Sequence, residues 1–199
     1  MIGIVGGGMG GLFCARALAK AGFSVTVLEA DEGYSGDVDA AFADWKRPGV
    51  AQLRQPHAAR SLIPKLLKKN DPELYSAIVQ AGMVEWPFHL LAVEDPDIGH
   101  DPELFALLGR RPALEVPLRR LTETTPGVAI LRRTVKDLIW DQSGQRPRVT
   151  GVRTDEGPVY FDCVIASAGR RNRLTEWLAS AGVHLPPDQT WECGITYYS

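Results

Sequence analysis

The chain has 199 residues, of which 45% are hydrophobic and 23% charged, so it can bury a core and lacks the composition typical of disorder. Its formal net charge of −2 gives no electrostatic case for nucleic acid, whose phosphates require a basic surface. Three cysteines at wide spacing indicate neither a disulfide framework nor a zinc site, and they favour a reducing, cytoplasmic setting. No apolar run reaches the roughly 18 residues that a membrane-spanning helix needs.

The start of the chain predicts a strand, a helix and a second strand. The apolar residues 2–5 form the first strand, and residues 10–21 have the spacing of a helix that packs on a sheet. Gly22 is the expected residue just past the helix end. A second strand follows over 24–29, which completes a βαβ unit.

Glycines with the spacing G-x-G-x-x-G join the first strand to the helix, at Gly6, Gly8 and Gly11. In this motif the first glycine permits a sharp turn, the second lets the backbone approach a pyrophosphate, and the third lets helix and strand pack closely. The helix N-terminus then offers N–H groups and a positive dipole end to phosphates. Glu29, at the end of the second strand, can accept hydrogen bonds from ribose hydroxyls and would repel a 2′-phosphate. The pattern predicts a site for FAD or NAD, and its alternative is a glycine-rich turn that only packs a helix.

The middle of the chain is mostly helical in pattern. Asp71 and Pro72 are a typical N-cap and first helical residue. In chain order we predict an irregular segment over 31–56, helices over 57–69 and 72–82, a strand over 83–95, and helices over 103–108 and 112–124.

The last third has short β patterns punctuated by glycines at 144, 151 and 157, which predict a small antiparallel meander. Residues 163–167 form a fully apolar run, which predicts a buried parallel strand. The meander strands are expected at 128–131, 134–141, 148–154 and 158–161. A helix over 174–181 should end at Gly182, and residues 194–199 have the pattern of a further strand.

Several later segments recur in one order in one family. They are 47–57 (Arg-Pro-Gly-Val and following residues), 111–119 (Arg-x-x-Leu-Glu-x-x-Leu-Arg), 126–128 (Pro-Gly-Val), 135–138 (Val-x-x-Leu) and 166–174 (Ala-Ser-Ala-Gly-Arg-Arg-Asn-Arg-Leu). With the glycine motif, they resemble the N-terminal half of FAD-dependent monooxygenases of the p-hydroxybenzoate hydroxylase type, near the flavin halogenases and geranylgeranyl reductases. The resemblance covers nearly all 199 residues.

The resemblance implies an α/β fold. A Rossmann-like FAD-binding domain with a parallel sheet and a small antiparallel meander would occupy 1–182, residues 83–95 would join a substrate-side sheet, and residues 183–199 would begin a substrate domain. The family's second FAD motif, Gly-Asp, belongs to its C-terminal half and has no counterpart in this sequence. We therefore expect a truncated chain, a natural fragment, or half of a split protein completed by a second polypeptide.

The resemblance also implies which residues bind the cofactor. The glycine loop and Met9 would hold the pyrophosphate through backbone contacts, Glu29 the adenosine ribose, and Val135 the adenine through its backbone. Arg47 and Arg111 would face the cofactor, where a guanidinium can bind a pyrophosphate bidentately; the alternative is that both are surface charges. The complete expected set is Gly6, Gly8, Met9, Gly10, Gly11, Glu29, Ala30, Arg47, Arg111, Val135 and Gly169. Many family members carry an Asp in the segment 166–169, and this chain has none there.

The activity implied is that of an FAD-dependent oxidoreductase of the monooxygenase class, in which NAD(P)H reduces the flavin and O2 is used to oxygenate a small organic substrate. No catalytic residue is identified, and the histidines lack metal-ligand spacing, although His57 could lie near the flavin. One alternative is a non-catalytic nucleotide-binding module, or half of a split flavoprotein. An NAD-linked dehydrogenase is disfavoured because the second half of a six-stranded parallel sheet is not evident after Glu29.

Overall fold

The computed structural model describes residues 1–34, 36–50, 52–87, 104–169, 173–187 and 189–194. Its elements in chain order are β1 (Ile2–Val5), α1 (Met9–Lys20), β2 (Val25–Glu29), α2 (Val38–Asp44), β3 (Pro56–Ala59), α3 (Leu62–Asn70), α4 (Pro72–Gln80), β4 (Val84–Pro87), β5 (Phe105–Arg110), α5 (Arg111–Glu123), β6 (Val128–Arg132), β7 (Val135–Asp141), β8 (Arg148–Thr154), β9 (Gly157–Tyr160), β10 (Cys163–Ala166) and α6 (Leu174–Ser180). Within these ranges, no helix is long and apolar enough to cross a membrane.

Four strands form a parallel sheet in the order β10-β1-β2-β6. The register places Ile2 beside both Val25 and Cys163, and Val25 beside Val128. All five residues of β2 are buried, as expected for a strand covered on both faces. Because parallel strands end at the same edge of a sheet, the loops after β1, β2 and β10 lie together.

Different elements cover the two faces of this sheet. On one face, Ala15 of α1 packs with Ile4, Val25 and Val27. The antiparallel meander β7-β8-β9 lies on the other face. Its apolar residues and Trp177 of α6 pack together against the parallel sheet. The parallel sheet is therefore the middle layer of a sandwich, which is the stable arrangement for a sheet with two apolar faces.

The third sheet is antiparallel, has the order β3-β5-β4 and lies beside the helices α3, α4 and α5. Its core contains Leu74, Ile78, Met83, Leu107 and Leu118, all of them 0–1% exposed. This core also includes Leu12 of α1, so the layer packs directly against the helix that follows the glycine motif.

The predicted α/β class and its opening βαβ unit are confirmed. Gly22, just past the end of α1, has a φ of +89°, as expected for the residue that ends a helix. Asp71 caps α4 by accepting the N–H of Leu74, and Pro72 is the first helical residue. The predictions of α5 and α6 are confirmed to within one residue at each end, and α5 accommodates Pro117.

Three local predictions are wrong. The helix expected over 103–108 is replaced by strand β5, and the helix expected over 57–69 starts only at Leu62 because residues up to Ala59 form strand β3. The segment 31–56, expected to be irregular, contains α2 with Asp37 as its N-cap. Strands β3 and β5 exist because they pair with each other, and local periodicity does not report such distant partners.

Two further predictions need correction or limitation. Residues 128–131 do not join the meander, because β6 pairs parallel with β2. The run 163–167 does form a parallel strand, but Cys163 and Ala166 are exposed at the end of the strand order. Of the strand expected over 83–95, the structure contains β4, and the part from residue 88 onward lies outside the described residues, as do residues 195–199.

Candidate functional site

A cleft of about 810 Å³ opens at the carboxyl ends of β1, β2 and β10. In open α/β sheets this edge is where ligands bind. Of the expected cofactor-binding residues, those that line the cleft are Gly6, Gly8, Met9, Gly10, Glu29, Ala30, Arg47, Arg111, Val135 and Gly169. The remaining one, Gly11, is buried behind the lining. Folding thus gathers residues that span more than 160 positions of sequence.

Two glycines of the motif are required by the packing of the protein itself. Gly6 has a φ of +104°, and a Cβ there would lie 2.5 Å from the carbonyl oxygen of Ser167. A Cβ at Gly11 would overlap the carbonyl oxygen of Gly6. The tight turn and the close approach of helix to strand, both predicted from the motif, are therefore confirmed.

Gly8 differs from the other two because nothing in the protein requires a glycine there. Its φ is −73°, which any residue adopts, and a Cβ at this position would meet no atom within 4 Å. Gly8 is the N-cap of α1, whose first turn carries neither a capping side chain nor an acidic residue. The first helical hydrogen bond runs from the N–H of Leu12 to the carbonyl of Gly8. The N–H groups of Met9, Gly10 and Gly11 therefore have no acceptor within the helix. A pyrophosphate fits this bare, electropositive helix end.

Glu29 ends β2 with its carboxylate held by two backbone groups. One oxygen, Oε2, accepts the N–H of Gly7 at 2.6 Å, and the other, Oε1, accepts the N–H of Asp31 at 2.8 Å. Each carboxylate oxygen can accept a second hydrogen bond, so the group can still bind a hydroxyl. The role of Gly7 was missed from the sequence, since it is the variable position inside the motif.

Arg47 lies in the wall of the cleft, and its side chain is only 4% exposed. Carboxylates of this chain surround its guanidinium: Asp31 at 3.1 Å, Glu115 at 3.6 Å and Glu29 at 3.7 Å. The guanidinium also stacks on the ring of Trp45, with its central carbon 4.9 Å from the ring centroid. Arg47 is therefore neither a surface charge nor an unpaired one.

Arg111 begins α5 and connects Glu115 to His57. Its Nε donates to Glu115 at 2.6 Å, and its Nη1 lies 3.2 Å from Nε2 of His57. Nδ1 of His57 lies 3.1 Å from the carbonyl oxygen of Gln55. Since a guanidinium can only donate, Nε2 of His57 accepts and Nδ1 carries the proton. His57 thus contacts a residue of the cleft without lining the cleft itself.

Part of the cleft wall is apolar. Val135, at the start of β7, belongs to the same cluster as Leu28 and Trp177. All three side chains line the cleft, and Trp177 is only 6% exposed. Such a wall suits a flat ring. Trp177 was missed in the sequence, where its only signal was a large apolar residue within the predicted helix over 174–181.

The comparisons with known sequences agree with this geometry. Residues 4–62 match the family described as NAD(P)-binding Rossmann-like domain. Over 217 aligned positions the chain is 30% identical to Protein Rv3254 of Mycobacterium tuberculosis (strain ATCC 25618 / H37Rv), an alignment that covers 98% of this chain and 43% of that protein. The chain therefore spans less than half the length of the curated relative that it matches.

Solved structures share the fold at low sequence identity. The chain is similar to Thermovibrio ammonificans THI4 (17% identity, 92% of this chain and 63% of that chain, TM-score 0.61). It is similar to p-nitrophenol 4-monooxygenase PnpA from Pseudomonas putida DLL-E4 (20% identity, 89% of this chain and 42% of that chain, TM-score 0.58). It is also similar to pqsL, a probable FAD-dependent monooxygenase from Pseudomonas aeruginosa (14% identity, 94% of this chain and 47% of that chain, TM-score 0.63). The predicted resemblance to FAD-dependent monooxygenases is thus confirmed at the level of fold, and the chain has a Rossmann-like dinucleotide-binding fold.

Proposed function

We propose that this chain binds FAD and forms the nucleotide-binding part of a flavin-dependent oxidoreductase of the monooxygenase class. The observation that carries the proposal is the space beside Gly8, where the uncapped N-terminus of α1 faces the same cleft as the carboxylate of Glu29. A pyrophosphate needs the helix end, and a ribose diol needs a carboxylate nearby. In an adenine dinucleotide the ribose is joined directly to the pyrophosphate, so a single cleft that holds both groups suits it.

The choice of FAD follows from charge and from fold. Glu29 would repel a ribose 2′-phosphate, which disfavours NADP as the resident nucleotide. One structural neighbour is described as a probable FAD-dependent monooxygenase, which favours FAD over a resident NAD, although the family that matches residues 4–62 is described as NAD(P)-binding. NAD(P)H then has the role of a diffusible reductant.

Each part of the cleft has a task in holding the cofactor. The glycine loop and the first turn of α1 would bind the pyrophosphate, Glu29 the adenosine ribose, and the wall around Val135 and Trp177 the adenine ring. When bound, FAD supplies electron transfer from NAD(P)H to O2 and thereby the oxygenation of a small organic substrate. The protein residues described here would bind and orient the nucleotide.

A second candidate is a nucleotide-binding module that turns nothing over by itself and needs a second polypeptide. The observation that favours it is that the cleft residues with an assigned role all serve nucleotide binding, and none is assigned to a substrate. In the wild-type chain loaded with FAD, NAD(P)H oxidation above the rate of free FAD supports the oxidoreductase. Binding of FAD without such oxidation supports the module.

Binding itself is tested by titrating the purified chain with FAD and following the visible spectrum and flavin fluorescence. Gly8→Leu should weaken FAD binding at least about 10-fold, which equals roughly 1.4 kcal/mol, because the new side chain occupies the space of the ligand. The matched control is Gly144→Leu, because Gly144 is exposed and lies outside the cleft. A wild-type chain that takes up no FAD, or a Gly8→Leu variant that binds as well as the control, would contradict the proposal.

A further inference from the structure

The guanidinium of Arg47 has three acidic neighbours within the protein. Glu29, Asp31 and Glu115 approach it from the end of β2, from the following loop and from α5. Its side chain is 4% exposed and stacks on Trp45. These contacts hold the guanidinium in place and compensate its positive charge within the protein.

A pyrophosphate at this guanidinium would have to compete with three carboxylates that are already in place. The neighbouring cation, Arg111, is also paired, through its Nε, with Glu115. The five groups together carry three negative and two positive charges, so the cluster is not an anion site. The helix end at Gly8 is the better place for the pyrophosphate because it has no acidic residue in its first turn.

Glu29, in contrast, depends on a cation. Its carboxylate and that of Asp31 are two residues apart, and both are buried or nearly so. Two such carboxylates repel each other strongly away from water. Arg47 lies between them and compensates both charges, which leaves the oxygens of Glu29 in the orientation set by the Gly7 and Asp31 N–H groups.

We propose that Arg47 is a positioning residue for Glu29: it acts on the ribose through this carboxylate and makes no contact of its own with the pyrophosphate. The inference rests on the proposed function, since it assigns Glu29 to the ribose. It differs from the family-based expectation, in which Arg47 reaches the cofactor directly.

The test separates the two roles by using ligands with and without phosphate. Affinities of adenosine, ADP and FAD are measured by calorimetry for wild type, Arg47→Gln, Glu29→Gln and the double variant. A positioning role predicts that Arg47→Gln weakens all three ligands by the same factor, about 10-fold, and that the double variant is no weaker than Glu29→Gln alone. A loss confined to ADP and FAD, adding to that of Glu29→Gln, would identify a phosphate contact and overturn the proposal.

A second ligand and a more conservative variant distinguish the positioning role from a loss of binding caused by misfolding. Wild type should bind 2′-deoxyadenosine less tightly than adenosine, and Arg47→Lys, which retains the charge, should reduce that preference only partly, by about 3-fold rather than 10-fold. An Arg47→Lys variant that keeps the full preference for adenosine while losing ADP affinity contradicts the positioning role. If wild type binds neither ADP nor FAD, the proposed function itself fails, and that result is separate from any outcome with the variants.

Discussion

At the scale of single residues, the glycine motif contains glycines that are needed for different physical reasons. Gly6 is needed for its positive φ, and Gly11 because a side chain would overlap the backbone of Gly6. Gly8 meets neither restriction, so only a ligand would require a small residue there. Under the proposed function, one motif therefore combines a folding requirement with a binding requirement, and substitutions can separate them.

Gly11→Ala should destabilise the fold, by about 1–3 kcal/mol or more, because the added methyl group forces apart α1 and the loop after β1. Gly8→Ala should change the unfolding free energy by at most about 1 kcal/mol, the scale of an N-cap effect. Urea unfolding followed by circular dichroism measures both. Equal destabilisation by the two variants would refute this division of roles.

Glu29→Ala should weaken adenosine binding by roughly 1–3 kcal/mol, because the hydrogen bonds between its carboxylate and the ribose are lost. Glu32→Ala is a suitable control, since Glu32 has a largely exposed side chain and does not line the cleft. Isothermal titration of ADP against the two variants measures the difference. Unchanged affinity in Glu29→Ala would remove the carboxylate from the ribose site.

At the scale of elements, α1 is held in place by a buried arginine. Arg16 is 4% exposed and donates hydrogen bonds to both Asp71 and Glu73, as well as to the carbonyl of Leu121 at 2.8 Å and to Thr125 at 2.7 Å. Since Asp71 is also the N-cap of α4, this arginine connects α1 to α4 and α5. The helix whose N-terminus faces the cleft is thereby fixed from behind.

Asp71→Asn keeps an N-cap acceptor but removes the charge that faces Arg16, and it should cost about 3 kcal/mol of unfolding free energy at pH 7. This is the low end for a broken buried pair, because Glu73 still pairs with Arg16. Urea unfolding measures the loss. Asp39→Asn, in an exposed pair with Arg110, is the control and should cost no more than about 1 kcal/mol.

The effect of Asp71 should also depend on pH. Burial opposes its ionisation, but the hydrogen bonds from Arg16 and Lys20 outweigh burial and hold the pKa of Asp71 below its ordinary value. A carboxyl with a lowered folded-state pKa stabilises the fold above its unfolded pKa of about 3.9, and this contribution is lost as pH falls through the folded-state pKa. The difference between wild type and Asp71→Asn should stay constant from about pH 7 to 5 and shrink below about pH 4. A difference that grows on acidification would contradict this assignment.

At the scale of the whole molecule, the cleft lies where the parallel sheet, the meander and α5 approach one another. The parallel sheet supplies the glycine loop and Glu29, the meander supplies Val135, and α5 supplies Arg111 from just beyond β5. A ligand in this cleft therefore contacts the parallel sheet, the meander and α5, and it should stabilise them together. Under the proposed function, the residues assigned to it would recognise the adenosine and pyrophosphate of FAD.

ADP should therefore raise the melting temperature of the chain, whereas FMN at equal concentration should raise it much less. At 100 times the dissociation constant, a ligand specific for the folded state contributes about 2.7 kcal/mol. Thermal unfolding with and without each nucleotide measures this, and FAD is the reference. Stabilisation by FMN but not by ADP would place the binding determinants at the flavin end instead.

The sequence predicts most accurately those features that depend on neighbouring residues. The opening βαβ unit, the end of α1 at Gly22 and the capping of α4 by Asp71 were all predictable, because backbone conformation and capping are local properties. The failures fall on strands β3 and β5, whose stability comes from pairing with each other across some 50 residues. The assignment of residues 128–131 to the meander failed for a similar reason, since their partner β2 lies a hundred positions earlier.

The same distinction between local features and contacts of distant segments applies to the candidate site. The sequence by itself determined the glycine loop, the acidic end of β2 and the resemblance that selected Arg47, Arg111 and Val135. Only the tertiary structure decided how these groups pair: Gly7 with Glu29, and Arg47 with Asp31, Glu29 and Glu115. The physical reason is that ion pairing and burial depend on distances between segments far apart in the chain, and a motif fixes only the residues within itself.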